Sequence, residues 1–444
     1  MLPTHFFCLP LRQRIIELIL FMSTLTISII VAFVLGYALI AMESLTKINK
    51  AAVALLMFVF CWVLYMVDPS PFVQLMHPEF KGIGDQLVTF ANKLITEHLG
   101  DTATTLFFLM GAMTIVEIVD QNGGFNWVKD VMRSKSKRSL LWKIAFMTFF
   151  LSAILDNLTT SIVMIMILRK LVQDHKDRMI YASLVIIAAN SGGAFSPIGD
   201  VTTIMLWNAG MITAGGVISE IFIPSLISMI IPAFVLQFLL KGKLGGDMLE
   251  TDHSGDTELL EFNGSQRKII FAIGVGGLCF VPVFHYFTDL PPFVGILLVL
   301  GILWTITEIF YRSLHRSKGA SEDFSKRVSN LLSRIDMSTI LFFLGILMAV
   351  ACLEEVGVLH ELGGGLNSFF QGNHYAVTGV IGVLSSIVDN VPLVAGSMGM
   401  YPVQATGDMA VDGIFWQLLA YCAGVGGSIL IIGSAAGVVV MGLE

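Results

Sequence analysis

Long apolar stretches, separated by short polar ones, run through most of the chain. Each is long enough to cross a bilayer as a helix, which takes about 17 to 25 predominantly apolar residues. They predict membrane spans at about 23–42, 51–67, 103–119, 215–240, 269–287, 293–311 and 338–357. The mixed, proline-containing segment from Asp68 to Asp101 predicts an external loop with an interfacial helix. The fold class predicted by this pattern is an all-α polytopic membrane protein.

One apolar region, 139–168, is unusual because basic residues lie on both sides of it. Lys129, Arg133, Lys135, Lys137 and Arg138 precede it, and Arg169, Lys170, Lys176 and Arg178 follow it. Basic residues concentrate in cytoplasmic loops, so a simple crossing would place one of these flanks on the wrong side. We therefore predict a re-entrant hairpin at 139–170, with half-depth helices at about 139–155 and 161–170 and with Asp156 and Asn157 at its tip.

A second Asp-Asn pair, Asp389 and Asn390, lies within another apolar run and predicts a second re-entrant hairpin at 376–401. Its flanks carry no Lys or Arg, and neither does any position after Arg334. By the same rule, this hairpin is expected to enter the membrane from outside. An ionisable residue at membrane depth is costly, which makes both pairs candidates for function.

Glycine and proline interrupt two further spans. In the span at 179–210, residues 190–200 include three glycines and a proline, which cannot all occupy a regular helix. The span at 413–440 is interrupted in the same way by the glycine-rich stretch 424–435. Irregular backbone at membrane depth persists only where it is buried in protein or lines a wet cavity. Both broken helices are therefore expected to face the hairpin tips.

The motifs recur at a nearly constant offset along the chain. The sequence LFFL occurs at 106–109 and again 235 residues later, the two Asp-Asn pairs lie 233 residues apart, and the Gly-Gly pair at 192–193 recurs after 234. The charge bias places the two hairpins on opposite sides. We therefore predict inverted-topology repeats, an arrangement of secondary transporters whose sites lie at the repeat interface.

These repeats divide the chain into four parts. Residues 1–22 form an N-terminal extension, since the apolar run that follows is too long for a signal peptide core. The first repeat is 23–240, the polar stretch 241–268 is a cytoplasmic linker, and the second repeat is 269–444. The offset places the counterpart of the 215–240 span beyond Glu444, so the second repeat is expected to lack that last helix.

Composition narrows the functional classes. Of the 444 residues, 55% are hydrophobic and 13% are charged, which is too little polar surface for a soluble globule of this size. The net charge is −7, and no basic patch interleaved with aromatic residues indicates nucleic acid as a partner. The five scattered cysteines are expected to be buried free thiols. The chain has neither a recognisable nucleophile with its base nor a His-x-x-x-His cluster, so we expect neither an enzyme nor a cofactor.

The candidate site combines carboxylates with neutral oxygen ligands. A cation site needs several oxygen ligands, and a site that also takes up protons needs a carboxylate that can be protonated. The carboxylates are Asp156, Asp200 and Asp389, and the neutral ligands are Asn157, Asn390, Ser191, Ser196, Ser428, Ser434 and Thr159. We place a bound cation at Asp156, Asn157, Asp200, Asp389 and Asn390, which the family resemblance given below implies to be Na+, and Glu117 is the candidate for a proton pathway.

These residues also have purely structural interpretations. Asp156 and Asp389 would cap the second helix of each hairpin, and Asp200 would cap the helix after it. The asparagines would serve as polar contacts between helices. Glu354 and Glu355, at the outer end of their span, are expected to be solvated or interfacial. Of the histidines, His285 alone could fall deep inside a predicted span, so a histidine pH sensor stays an open but unsupported alternative.

Five motifs together resemble a known family. They are LFFLMGAMTIVE at 106–117, AILDNLTT at 153–160, ANSGGAFSPIGDVTTIMLW at 189–207, SIVDNVP at 386–392 and GGSILIIGSAAG at 426–437. The chain resembles the ion transporter superfamily and, within it, the NhaD-type sodium/proton antiporters, from about residue 23 onward. The resemblance implies exchange of Na+ or Li+ for H+ by alternating access, in a homodimer in the bacterial inner membrane.

The hairpin tips distinguish this chain from the carboxylate-transporting members of that superfamily, which carry Ser-Asn-Thr there. Here Asp156 and Asp389 occupy the Ser position, and Pro392 occupies the second Thr position. An added negative charge at each tip argues against an anionic substrate and for a cation or proton. Sodium-driven carboxylate symport or oxyanion export is the alternative. A channel is a third hypothesis, although a channel would not need two inverted hairpins.

Overall fold

A computed structural model describes residues 24–134, 136–240, 242, 262–318, 335–430 and 433–443. Within these ranges the chain forms helices and no strand. The helices are α1 Thr24–Ala41, α2 Glu43–Thr46, α3 Lys50–Val67, α4 Ser70–Met76, α5 Asp85–Gln121, α6 Asn126–Met132, α7 Lys137–Leu155, α8 Asn157–Leu171, α9 His175–Ala194 and α10 Val201–Asn208. They continue with α11 Ala214–Leu236, α12 Gly264–Thr288, α13 Pro292–Lys318, α14 Met337–Glu355, α15 Val358–Phe369, α16 His374–Leu384, α17 Asn390–Met400, α18 Ile414–Gly426 and α19 Ala435–Leu443. The predicted extension at 1–22 and residues 241 and 243–261 of the predicted linker lie outside the described residues. The predicted end of the linker at 268 is wrong, because α12 already begins at Gly264.

Eight of the described helices are long and apolar enough to cross a membrane, namely α1, α3, α5, α7, α11, α12, α13 and α14. The all-α, multi-pass membrane prediction is therefore confirmed. The expectation of an external loop reaching Asp101 and a separate span at 103–119 is wrong, because α5 is one helix of 37 residues. No proline follows Pro78 in this region, so nothing in the backbone prevents the helix from starting at Asp85.

The chain folds as two compact units. Unit 1 contains residues up to 102 together with 341–364, and unit 2 contains 103–340 and 365–444. Helices α5 and α14 each contribute residues to both units. The predicted scaffold spans at 23–42 and 51–67 correspond to α1 and α3 of unit 1.

Close helix crossings hold unit 1 together. The indole Nε1 of Trp62 on α3 donates a hydrogen bond of 2.8 Å to the carbonyl oxygen of Met348 on α14. Near it, Gly345 lies against the backbone of Ala54, where an added Cβ would be 2.5 Å from the Ala54 carbonyl carbon. Small residues allow such close backbone approach between membrane helices, where apolar burial alone gives little attraction.

Unit 2 contains the four predicted helix breaks. Asp156 separates α7 from α8, with a positive φ of 85°, so the second hairpin helix starts at Asn157 rather than at about 161. Residues 385–389 separate α16 from α17, and residues 195–200 separate α9 from α10. Between α18 and α19, the described residues 427–430 and 433–434 are not α-helical. The breaks lie where glycine, proline and the Asp-Asn pairs indicated them.

A serine in the first helix of each hairpin binds the neighbouring broken helix. Ser152 Oγ donates to the carbonyl oxygen of Ala189 at 2.6 Å, and Ser385 Oγ donates to that of Ala423 at 2.7 Å. The serines lie 233 residues apart and the acceptors 234 apart, the offsets found in the sequence. The two halves thus repeat a tertiary contact as well as a motif.

Glycines of the two broken helices repeat a second contact. An added Cβ at Gly192 would overlap the carbonyl oxygen of Phe149, and one at Gly426 would overlap that of Gly382. Only glycine allows the broken helix to approach the hairpin backbone so closely. The opposite orientation of the two halves in a membrane stays a prediction.

The cysteine prediction is confirmed in part. Cys61 and Cys352 are buried free thiols, and Cys422 is half-buried. Cys279 on α12 is exposed, so the expectation of burial is wrong there. An apolar run long enough to span a membrane has an outward face, and Cys279 lies on that face of α12.

Candidate functional site

Asp200 lies at the centre of a buried polar cluster in unit 2. It is only 1% exposed and precedes α10, where its Oδ1 accepts a hydrogen bond from the backbone N–H of Thr202 at 3.2 Å. It therefore caps α10, as the structural interpretation expects. The cap uses one carboxylate oxygen and leaves Oδ2 directed at other groups.

Both hairpin tips reach Asp200 through their asparagines. Asn157 Nδ2 donates to Asp200 Oδ2 at 3.2 Å, and Asn390 Nδ2 donates to Oδ2 at 3.3 Å and to Oδ1 at 3.4 Å. Both asparagines begin the second helix of their hairpin and are buried. Two equivalent residues of the repeat thus converge on a single carboxylate that has no acidic counterpart.

Asn190 joins the cluster from the end of α9 and is fully buried. Its Oδ1 accepts from Asn157 Nδ2 at 3.1 Å, while its Nδ2 donates to Ser428 Oγ at 2.9 Å and Ser434 Oγ at 3.1 Å. Asn190 therefore connects the first hairpin tip to the break between α18 and α19. Asn190 is not among the site residues predicted from the sequence. The signal was present, since an amide in the middle of an apolar span is as unusual as the Asp-Asn pairs.

The hairpin aspartates cap their own helices. Asp156 Oδ1 accepts from the backbone N–H of Thr159 at 2.8 Å, and its Oδ2 accepts from Thr159 Oγ1 at 2.7 Å. Asp389 Oδ1 accepts from the N–H of Val391 at 3.4 Å. Neither aspartate is fully buried. Capping accounts for the observed hydrogen bonds of Asp156 and is compatible with a further electrostatic role.

The charges of two carboxylates act on Asp200 in this region. Asp200 is close enough to both Asp156 and Asp389 for their charges to interact. Neighbouring carboxylates repel one another when they are buried, and a bound cation or proton relieves this repulsion by neutralising one charge. The arrangement therefore favours positively charged cargo and disfavours an anion.

Two predicted ligands, Ser191 and Ser196, form hydrogen bonds with other residues of unit 2. Ser191 Oγ accepts from Ser228 Oγ on α11 at 2.9 Å, and Ser196 Oγ donates to the carbonyl oxygen of Ala153 at 2.5 Å. Ser196 thus anchors the break of the first broken helix to the first hairpin. The observed contacts of both serines are with neighbouring elements rather than with Asp200.

Glu117 lies on α5 and accepts a hydrogen bond from Gln121 Nε2 at 2.6 Å, one turn along the same helix. It is half-buried. No hydrogen bond described for it leads to the Asp200 cluster, so its role in a proton pathway stays a prediction.

Comparison with known proteins adds the family. A profile described as citrate transporter (CitMHS) matches residues 37–426. Sodium/proton antiporter 2 of Arabidopsis thaliana is 40% identical over 414 residues, which cover 93% of this chain and 91% of that protein. Sodium/proton antiporter 1 of the same plant is 42% identical over 93% of this chain and 66% of its own length. The chain thus spans slightly less than two thirds of that second relative.

Bacterial relatives are similar over nearly the same region. The Na(+)/H(+) antiporter NhaD of Alkalimonas amylolytica is 30% identical over 438 residues, which cover 93% of this chain and 83% of that protein. The region matched by the family profile, 37–426, contains both Asp-Asn pairs and Asp200.

Proposed function

Because this chain belongs to the citrate transporter family and, within it, to the NhaD-type sodium/proton antiporters, we propose that it exchanges Na+ or Li+ for H+ at the Asp200 cluster. It is a multi-pass membrane protein and a secondary active transporter. The observation that carries the assignment of the site is the convergence of Asn157 and Asn390, one from each hairpin, on Asp200.

The cluster supplies the ligand types that a sodium ion requires. In the observed arrangement, amide N–H groups of Asn157 and Asn390 satisfy the Asp200 carboxylate. Rotating an amide by half a turn about its last side-chain torsion puts its oxygen where the nitrogen was. Two such rotations would convert a shell of donors around Asp200 into a shell of oxygen ligands, with the hydroxyls of Ser428 and Ser434 close behind Asn190.

Exchange follows from competition for the same charge. A proton on Asp200 and a cation beside it each neutralise the carboxylate, so binding one disfavours binding the other. Asp156 and Asp389 add charge that strengthens this competition. Movement of the hairpins relative to the membrane would then open the loaded site to one side at a time.

The family name raises carboxylate transport as the second candidate. A citrate site would need positively charged or N–H-rich groups facing the substrate. The hairpin tips of this chain instead carry Asp156 and Asp389, and the buried residue between them is Asp200. Three carboxylates favour a cation.

The membrane and the assembly are further parts of the proposal. We place the protein in the cytoplasmic membrane of a bacterium as a homodimer, as the sequence resemblance implies. Relatives from both a plant and bacteria match it. Immunodetection in separated membrane fractions, together with crosslinking of the full chain in its native membrane, tests both statements.

The test is exchange in proteoliposomes that contain the purified full chain and a pH-sensitive dye. With an imposed proton gradient, Na+ or Li+ should collapse the gradient, whereas K+ and citrate should not. Asp200→Asn should abolish the cation-dependent signal because the neutral amide cannot alternate between a proton and a cation.

Asp174→Asn is the matched control for charge removal. Asp174 is an exposed cap of α9, and the backbone N–H of Asp177 holds the pKa of its carboxyl below the ordinary value. Asn caps a helix as well as Asp does, so this variant should exchange at the wild-type rate. Full activity of Asp200→Asn, or a proton signal driven by citrate, would contradict the proposal.

A further inference from the structure

A second group of titratable side chains lies within unit 1 and shares no residue with the Asp200 cluster. His98 Nε2 on α5 is 2.8 Å from Glu355 Oε1, and His77 Nε2, just after α4, is 2.9 Å from Glu355 Oε2. Each carboxylate oxygen thus has its own imidazole. The expectation that Glu355 is solvated is wrong, because its side chain is only 8% exposed. Its position at the membrane interface stays a prediction.

The exposure of the three side chains gives protons a way in. The Glu355 side chain is 8% exposed, whereas those of His77 and His98 are 25% and 20% exposed. The Glu355 carboxylate is therefore buried beside two imidazole rings that water can reach. The histidines can gain or lose a proton while Glu355 stays buried.

Further carboxylates face the two rings. His77 Nδ1 lies 3.6 Å from Glu79 Oε1, and the charges of Asp101 on α5 and Glu354 on α14 act on His98. A neutral imidazole offers one N–H, whereas the imidazolium donates from both nitrogens. For His77, with a carboxylate near each nitrogen, the imidazolium is the form that gives both acceptors a donor.

The remaining neighbours are aromatic or weakly acidic. Among the described residues, the hydroxyl of Tyr65 on α3 and the thiol of Cys352 on α14 are also titratable groups near Glu355. The ring of Trp62 packs 6.2 Å from that of His98, and Phe90 meets the His77 ring edge-on at 5.4 Å. Apolar rings thus pack against both imidazoles, and the low exposure of Glu355 strengthens charge pairing at its carboxylate.

We propose that His77, His98 and Glu355 form a proton-binding site. When it is protonated, His77 after α4 and His98 on α5 bind Glu355 at the end of α14 more tightly, and this tighter packing slows exchange at low pH. Protonation of an imidazole places a positive charge beside the Glu355 carboxylate, and this opposite charge strengthens their pairing. Imidazole ordinarily changes charge between about pH 5 and pH 8. The interaction of the two histidines with Glu355 is therefore strongest at low pH and weakens as the pH rises through that range.

The inference about exchange rests on the proposed function, whereas the proton site itself does not. Helices α5 and α14 continue beyond this cluster into unit 2. Holding their unit 1 portions stiffens helices that have residues in both units. An antiporter built this way would run slowly in acid and faster in alkali.

The first measurement is the unfolding midpoint of the full chain in detergent as a function of pH. The variant H77Q/H98Q keeps a side-chain N–H for each oxygen of Glu355 and removes the titration. The wild-type midpoint should fall more between pH 6 and pH 8.5 than that of the variant, by roughly 2 to 4 °C. Glu355→Gln, which removes the paired charge with little change in shape, should flatten the profile similarly.

His360→Gln is the matched control, because His360 is an exposed histidine on α15 in the same unit. Its profile should follow the wild type. If H77Q/H98Q keeps the wild-type fall, or if His360→Gln removes as much of it, the proton site is refuted.

The second measurement is the ratio of exchange rates at pH 6 and pH 8.5 in proteoliposomes. This ratio should rise several-fold in H77Q/H98Q relative to the wild type and to His360→Gln. An unchanged ratio with a flattened stability profile refutes the control of exchange and keeps the proton site. If neither the wild type nor any variant exchanges ions, the proposed function is refuted. The dependence of stability on pH would still test the proton-binding site.

Discussion

At the scale of residues, the two members of each Asp-Asn pair have different roles in the structure. In each pair the aspartate caps the helix that follows, and the asparagine reaches Asp200. Within the hydrogen-bonded cluster, Asp200 is the centre and the hairpin aspartates are its charged neighbours. The sodium site that includes both members of each pair stays a prediction.

Replacing Asp156 by Asn removes the charge of this residue and should keep its capping of α8. Asn should keep the cap of α8, so the unfolding midpoint should stay near that of the wild type. Exchange should fall because one of the charges that act on Asp200 is gone. Exchange assays and thermal unfolding of the same preparation provide the two readings, and wild-type exchange by Asp156→Asn would leave the residue as a cap alone.

Replacing Asn190 by Ala should raise the Na+ concentration needed for half-maximal exchange. The change removes the link between Asn157 and the hydroxyls of Ser428 and Ser434. Leaving buried polar groups without partners should also lower stability by about 1 to 3 kcal/mol. Titration of exchange with Na+ at fixed pH measures the first effect.

Asn208→Ala is the comparison for Asn190→Ala. Asn208 is also an amide of a unit 2 helix, and it binds Thr105 Oγ1 at 3.3 Å, outside the Asp200 cluster. Its removal should leave the half-maximal Na+ concentration unchanged. Equal shifts in both variants would mean that general destabilisation, and not ligand loss, explains the result.

At the scale of elements, the broken helices depend on a few close backbone contacts. Glycine was predicted to interrupt these helices, and it does. The contacts also show a reason that the sequence does not state: Gly192 and Gly426 lie directly against hairpin carbonyl oxygens. These glycines permit an approach as well as a bend.

Gly426→Ala should destabilise the protein by about 1 to 3 kcal/mol, the usual cost of forcing an extra carbon into packed structure. The added Cβ would overlap the Gly382 carbonyl group, which as backbone cannot move aside alone. Gly379→Ala, on the same hairpin helix as Gly382, has open space at its Cβ and should be neutral or stabilising. Thermal unfolding of both variants checks the difference, and equal midpoints would contradict it.

At the scale of the whole molecule, the orientation of the two halves in a membrane is the main open prediction. The matched contacts of Ser152 and Ser385 show that the halves repeat in structure. The basic flanks of the first hairpin and the absence of basic residues after Arg334 predict that they enter from opposite sides.

Cysteine labelling at Ser134 and Thr406 tests that orientation. With the exposed Cys279 and the other native cysteines replaced, a membrane-impermeant reagent should reach a cysteine at 134 only from the cytoplasm and one at 406 only from outside. Labelling of both positions from one side would refute the inverted repeat and leave the contact repeat unexplained.

The sequence by itself determined the membrane class, the four helix breaks and the acidic and amide residues around them. Those features follow from local chemistry: apolar length, glycine and proline in a helix, and the cost of a polar group in lipid. Asp200 and both Asp-Asn pairs were identified in this way.

Only the tertiary structure decided which of these groups meet. It assigned Asn190 to the cluster, directed Ser191 and Ser196 to other elements, and made α5 one long helix. It also brought His77 and His98 to Glu355, from positions more than 250 residues away along the chain. Partners so far apart are set by how helices pack, and no local pattern of residues records that packing.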